Sequence, residues 1–110
     1  MKLAIIGSRH IKDFDLELVV PKTVTCIISG GAAGIDTIAR VYAQKHNIEL
    51  IEFFPEYYLY GRSAPIIRNK LIAQEADAVL AIWDGVSKGT AFTISFAKKI
   101  GKPVTIIQGS

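Results

Sequence analysis

The sequence predicts a single α/β domain over residues 1–110, with helices on both faces of a five-stranded, mainly parallel sheet. Three observations support this. Five short runs rich in Ile and Val recur along the chain, and most lack the polar alternation of strands that face solvent. Segments with helical spacing lie between the runs. The links are short, as expected for parallel strands joined by right-handed helical crossovers. The expected architecture is a Rossmann-like three-layer sandwich.

The strands are predicted from the apolar runs in chain order. They are "KLAII" from Lys2, "VTCIIS" from Val24, "IELIEFF" from Ile48, "AVLAIW" from Ala78 and "PVTII" from Pro103. Runs of this kind are typical of strands that are buried on both faces of a sheet.

The helices are predicted from the spacing of apolar residues between these runs. Residues 35–46 follow the i, i+3, i+4, i+7 pattern of an amphipathic helix. The stretch "IIRNKLIAQEA" predicts the next helix, with Ser63 as its N-cap and Pro65 in its first turn. The last helix is predicted to begin near Gly89–Thr90 and to end before "GKP" at 101–103.

Composition argues against several classes of protein. Half of the residues are apolar, and 13 Lys and Arg against 10 Asp and Glu give a net charge of +3. This mild excess suits a small anionic ligand at least as well as nucleic acid. No apolar stretch approaches the roughly 20 residues of a membrane span, and the chain enters a strand directly, so we expect a cytoplasmic protein. The single cysteine, Cys26, lies in an apolar run and is expected in the core.

Known metal and dinucleotide motifs are absent from the sequence. There is no HExxH, no CxxC and no paired carboxylates, so we expect no metal ion. The pattern GxGxxG is also missing, which argues against an ordinary NAD dehydrogenase. We therefore predict neither a metal nor a cofactor.

Polar residues and glycines follow four of the predicted strands, at the edge where such sheets bind ligands. The strand exits read "GSRH", "SGGAAGID", "FFPEYYLYGRSAPIIRN" and "WDGVSKGT". Arg provides a planar set of donors, Gly leaves backbone N–H groups exposed, and helix N-termini add positive potential. The residues at this edge therefore predict a phosphate site. The candidate ligand-binding residues are Gly7, Ser8, Arg9, Ser29, Gly30, Gly31, Ala32, Gly34, Asp36, Arg62, Arg68, Asn69, Asp84, Ser87, Gly89 and Thr90.

Several of these positions have two interpretations. "SGGAAGID" is either a tight turn between a strand and a helix or a cradle for an anion. Asp36 either caps its helix or contacts ligand. Asp84 either accepts from a ribose hydroxyl or closes a turn with Gly85. The tyrosines at 57, 58 and 60 form either a lid that stacks on a base or a subunit contact.

Taken together, these motifs resemble the SLOG superfamily, in particular its small YspA-like branch. The matching segments are "GSR" at 7–9, "SGGAAGID" at 29–36, "YGRSAPIIRN" at 60–69, "ADAVLAIWDG" at 76–85 and "SKGT" at 87–90. The resemblance implies a Rossmann-like fold that binds nucleotides or nucleotide-derived ligands, often in homo-oligomers. Members of the branch are proposed to be nucleotide sensors or processing enzymes.

Two related families suggest alternative functions. The LOG-type phosphoribohydrolases use an Arg that matches Arg68 and a Gly-Thr pair that matches Gly89–Thr90, but their catalytic Glu falls on Thr93. DNA-processing protein A, which binds single-stranded DNA, has a motif similar to "SGGAAGID", and Ala33 stands where that family commonly carries Arg.

We therefore expect a protein that binds a nucleotide or a nucleotide-derived phosphorylated ligand, as a sensor or accessory domain. The first alternative is an enzyme of N-glycosidic or phosphoribosyl hydrolysis, with its catalytic residues unassigned. The second is a module for single-stranded nucleic acid, which the modest charge does not favour. The last helix, "TAFTISFAKKI", has apolar residues on more than one face, so we also expect a homodimer.

Overall fold

The predicted fold class is confirmed in a computed structural model that describes residues 1–110. The strands are β1 Lys2–Gly7, β2 Cys26–Ser29, β3 Glu49–Glu52, β4 Ala78–Trp83 and β5 Val104–Gln108. The helices are α1 Ile35–Lys45, α2 Tyr57–Tyr60, α3 Ala64–Glu75 and α4 Lys88–Lys99. Single 3₁₀ turns occur at Leu16–Leu18 and Gly61–Ser63. Each strand coincides with one of the predicted apolar runs, within two residues at either end.

The five strands form one sheet in the order β3-β2-β1-β4-β5. Every pairing is parallel, so the sheet is wholly rather than mainly parallel. The chain winds outward from β1 to β3, then returns to place β4 on the other side of β1. The winding therefore reverses between β1 and β4, and a crevice is expected outside their carboxyl ends.

Two apolar cores lie on opposite faces of the sheet. Ile5 and Ile27 contribute to the core beneath α1, whereas Ile6 and Ile28 contribute to the core beneath α3 and α4. Neighbouring residues on a strand point to opposite faces, so a strand covered on both sides must be apolar throughout. This explains why the strands could be predicted from apolar runs in the sequence. Cys26 is buried in the second core, as predicted.

The helices are short, and their ends correct two details of the sequence interpretation. Ser63 makes no capping hydrogen bond, because the 3₁₀ turn Gly61–Ser63 runs directly into α3 and leaves Ser63 with helical backbone angles (φ −80°, ψ −8°). α4 begins at Lys88, one residue before the predicted start. Gly101 follows α4 with a φ of +82°, which favours Gly. None of the helices has the length and apolar character needed to cross a membrane.

Candidate functional site

A cavity of about 350 Å³ opens at the carboxyl edge of the sheet, where the winding reverses. Its walls come from the β1 exit, the turn after β2, one face of α3 and the first turn of α4. The predicted residues that line it are Gly7, Ser8, Arg9, Gly30, Ala32, Asp36, Arg68, Asn69, Ser87, Gly89 and Thr90. Its volume is at the lower end of the range of about 300–1,000 Å³ for small-molecule sites.

The N-terminus of α4 presents free donors to this cavity. The first hydrogen bond of the helix runs from the Ala91 N–H to the Ser87 carbonyl (3.1 Å), and the N–H groups of Lys88, Gly89 and Thr90 have no partner in the chain. Ser87 occupies the N-cap position but makes no capping bond. Unsatisfied N–H groups at the positive end of a helix dipole attract anions.

The loop before α4 explains why Ser87 does not cap the helix. The Ser87 hydroxyl donates to Asp84 Oδ2 (2.9 Å) and lies 3.0 Å from Ser8 Oγ. Asp84 Oδ1 accepts from the backbone N–H groups of Val86 (2.9 Å) and Ser87 (2.8 Å), and His10 Nε2 lies 2.9 Å from Oδ2. These hydrogen bonds hold the pKa of Asp84 well below its usual range, and the two backbone N–H groups have the largest effect. Asp84 thus closes its own turn and does not line the cavity.

Arg68 is a buried cation at the base of the cavity. The residue is only 8% exposed. Its Nη1 donates to the Gly30 carbonyl (2.7 Å), and its Nε donates to Asn69 Oδ1 (2.8 Å). Nη2 has no partner in the chain, but it is not sealed from solvent. Arg68 forms no ion pair with a carboxylate, and burial lowers its pKa. The nearby Asp36 carboxylate offsets part of this burial without reaching ion-pair distance. A buried guanidinium that is only partly compensated is costly, and an anion in the cavity would lower that cost.

Asp36 is the only carboxylate that lines the cavity. It lies in the first turn of α1, where its Oδ2 accepts from the Ala32 N–H (3.1 Å). Burial raises its pKa. Its side chain therefore closes the turn before α1 and forms part of the cavity wall, but it accepts no hydrogen bond from an N–H group of the helix itself. Contact of Asp36 with a ligand stays a prediction. No group of three or more His, Cys, Asp or Glu side chains is arranged to hold a metal ion.

The glycines of "SGGAAGID" allow the backbone to pack closely against its neighbours. A Cβ at Gly30 would lie 2.7 Å from Arg68 Nη1 and 2.9 Å from Asp36 Oδ2. Gly31 and Gly34 have φ of +69° and +74°. A Cβ at Gly31 would collide with the Phe54 ring, and one at Gly34 with the backbone of the β1 exit. Gly31 and Gly34 thus have the conformation and close packing of a tight turn, Gly30 and Gly31 also line a cavity, and contact of the turn with an anion stays a prediction.

A second cavity of about 270 Å³ adjoins the first. The two share Arg9, Gly30, Ala32 and Arg68 as lining residues. The second is completed by Gly31, Ala33, Phe54 and Pro55. Phe54 is 57% exposed although it is aromatic.

Some predicted residues lie outside both cavities. Ser29, Gly34, Arg62 and Asp84 line neither of them. Ser29 is fully buried and its hydroxyl has no partner, while Arg62 is exposed in the turn before α3. The tyrosines at 57, 58 and 60 lie in the exposed helix α2 and line neither cavity. Tyr57 is close enough to Arg68 to favour the charged guanidinium, and both the lid and the subunit contact stay predictions.

Six further residues line the cavity, and two of them, His10 and Lys88, stand in the strand exits "GSRH" and "WDGVSKGT" from which the site was predicted. The six are Ile6, His10, Pro65, Ile72, Lys88 and Thr93. Helical spacing would have found several of them, since Pro65, Asn69 and Ile72 share the face of α3 that carries Arg68. In the same way, Thr93 follows Gly89 by one turn of α4. Comparison of the chain with family models, with curated proteins and with solved structures gives no match.

Proposed function

We propose that this protein binds a nucleotide or a nucleotide-derived phosphorylated ligand at the carboxyl edge of the sheet, as a sensor or accessory domain. The observation that carries the proposal is Arg68, a buried guanidinium with no carboxylate at ion-pair distance, which lines the same cavity as the uncapped N-terminus of α4. A phosphate group has enough acceptor oxygens to satisfy both sets of donors at once.

The charge around the cavity supports an anionic ligand. Arg9 and Lys88 lie exposed among its lining residues and add to the charge of Arg68. Asp36 opposes them, but its Oδ2 is already bonded to the Ala32 N–H. Surplus positive charge at a concave site raises the local concentration of anions and speeds their association.

Binding without hydrolysis fits the side chains of the cavity better than catalysis. In LOG-type phosphoribohydrolases the resemblance puts a catalytic Glu at the position of Thr93. Here the Thr93 hydroxyl donates to the Gly89 carbonyl (2.9 Å), one turn back in the same helix. General acid–base catalysis contributes roughly 10²–10⁴-fold to a rate, and a neutral hydroxyl committed to the backbone does not supply it.

One observation favours the enzymatic alternative. His10 lines the cavity, and Asp84 holds its Nε2 at 2.9 Å, as a carboxylate orients an imidazole base. Incubation with adenosine monophosphate, followed by chromatography of free adenine, separates the two functions. We expect no release of adenine; release that is lost in His10→Ala would make the protein a hydrolase.

The proposal includes the resemblance to the YspA-like branch of the SLOG superfamily, a cytoplasmic location and self-association. The exposed apolar side chains include several between Tyr57 and Ile66. In α4, by contrast, Phe92 and Phe96 stack on each other and Ile94 is buried. A homodimer thus has less support from α4 than the sequence indicated, and more from the segment 57–66.

The test of the proposal is a direct binding measurement. Isothermal titration with adenosine monophosphate and with inorganic phosphate should show saturable binding of both. Arg68→Lys keeps the charge but loses the planar donor set, so we expect binding at least about tenfold weaker. Circular dichroism of the variant checks its fold. Absence of heat with both ligands, and of any shift in thermal unfolding, would contradict the proposal.

A further inference from the structure

We propose that the base of the nucleotide lies in the second cavity and stacks on Phe54, so that one ligand spans both cavities. This inference rests on the proposed function and adds the position and the selectivity of the base. The first cavity would hold the phosphate, against Arg68 and the start of α4.

The two cavities are placed to hold one extended ligand. They meet at Arg9, Gly30, Ala32 and Arg68, which line both. The first cavity, of about 350 Å³, is at the lower end of the usual range for ligand sites and the second, of about 270 Å³, is below it, whereas a site made of both would fall well within that range. The polar groups are concentrated in the first cavity, and the flat apolar surface belongs to the second.

Phe54 is held in place without being part of the apolar core. It belongs to neither core cluster, while the preceding Phe53 packs against the second core. A Cβ at Gly31 would lie 2.7 Å from Phe54 Cζ and 2.8 Å from Cδ1, so the ring rests against the Gly31 backbone. At 57% exposure, much of the ring remains open to solvent. An aromatic ring fixed on one side and open on the other is a stacking surface for a base.

The remaining lining residues determine what kind of base fits. Pro55 extends the apolar surface, and the guanidinium of Arg9 can stack on the π-face of a base. No carboxylate, amide or hydroxyl side chain lines the second cavity. Recognition of a base edge therefore depends on the backbone of Gly30 and Gly31, because the Ala32 N–H and carbonyl already bond to Asp36 and Thr37. We infer selectivity for purines over pyrimidines, through stacking area, with little discrimination between adenine and guanine.

The experiment compares ligands with and without a base on matched variants. Isothermal titration of adenosine monophosphate and ribose 5-phosphate would be carried out on the wild type, Phe54→Ala and Tyr58→Ala. Tyr58 is a fully exposed aromatic residue that lines neither cavity. We expect Phe54→Ala to weaken the binding of adenosine monophosphate by about 5- to 150-fold, the range expected for the loss of one stacked base. Ribose 5-phosphate should be unaffected, Tyr58→Ala should match the wild type with both ligands, and Phe54→Trp should retain binding.

The outcomes distinguish this inference from the proposed function. If Phe54→Ala weakens the binding of both ligands equally, the ring supports the phosphate site rather than a base, and the inference fails. If it weakens neither while the wild type binds both, the base lies elsewhere and only the phosphate site stands. If the wild type binds neither ligand, the proposed function itself fails. Guanosine monophosphate bound more than about tenfold differently from adenosine monophosphate would overturn the inferred lack of discrimination between purines.

Discussion

The uncapped start of α4 can be tested by removing one of its N–H groups while leaving the backbone intact. Lys88 is the first residue of the helix, a position that proline favours because its N–H has no partner within a helix. Proline also requires an extended residue before it, and Ser87 has φ −61° and ψ 119°. Lys88→Pro should therefore fold normally and lose one donor of the cradle, together with the lysine charge. Lys88→Ala loses the charge alone and is the matched control.

The two variants differ in the expected size of the effect. A hydrogen bond to a charged group contributes about 1.5–3 kcal/mol, so loss of the N–H should weaken phosphate binding by roughly 10- to 150-fold. The exposed lysine contributes about 0.2–1 kcal/mol, a factor of roughly 1.5 to 5. The lysine effect should shrink as salt is raised, because exposed charges are screened, whereas the effect of the lost N–H should persist.

Isothermal titration of inorganic phosphate at low and high salt measures both effects, and thermal unfolding confirms that the variants fold. Equal affinities for Lys88→Pro and Lys88→Ala would show that this N–H does not contact phosphate. The assignment of the phosphate to the start of α4 would then be wrong.

Three further predictions concern the turn after β2, the loop after β4 and the assembly. Gly30→Ala adds a methyl group 2.7 Å from Arg68 Nη1, so it should lower the free energy of unfolding by about 1–3 kcal/mol and weaken ligand binding. Gly89→Ala, whose added methyl group would meet no atom closer than 3.9 Å, should be tolerated. Urea unfolding compares the two variants, and equal stabilities would contradict this prediction. The lowered pKa of Asp84 stabilises the fold above its ordinary pKa of 3.8, and this stability is lost as pH falls below that value. Urea midpoints of Asp84→Asn should thus fall less between pH 4 and pH 2 than those of the wild type or of Asp13→Asn, and parallel curves would refute the role of Asp84. Sedimentation at micromolar concentration should give a dimer, and a monomer at all concentrations would refute self-association.

The fold could be predicted because burial on both faces leaves a direct mark on the sequence. A strand such as β4 is apolar at every position, and α1 repeats its apolar residues with the period of a helix. The Ser63 cap could not be predicted in the same way. A cap depends on the backbone conformation of the residue itself, and here the preceding 3₁₀ turn had already made that residue helical.

The edge of the sheet at which the cavity lies could also be predicted, but the contacts of Asp36 and Asp84 could not. Asp36 and Asp84 both follow a strand and lie beside glycines, so their local sequences suggest similar functions. The difference arises from distant partners: Asp36 lies near Arg68, whereas Asp84 is paired with His10, 74 residues away in the chain. The hydrogen bonds that Asp84 accepts from the Val86 and Ser87 N–H groups are local, and the Asx-turn preference of Asp followed by Gly could have indicated them.

The glycines that first suggested a phosphate cradle are explained by contacts within the chain. Gly30 gives Arg68 room to reach its carbonyl, Gly31 supports Phe54, and Gly34 lets α1 start against the β1 exit. Each glycine would be needed for packing even if the turn bound nothing, so the "SGGAAGID" motif alone does not establish ligand binding. The case for an anion comes instead from two features that packing does not require. These are an Arg68 guanidinium with a free Nη2 and no carboxylate at ion-pair distance, and the Ser87 hydroxyl, which bonds to Asp84 rather than capping α4.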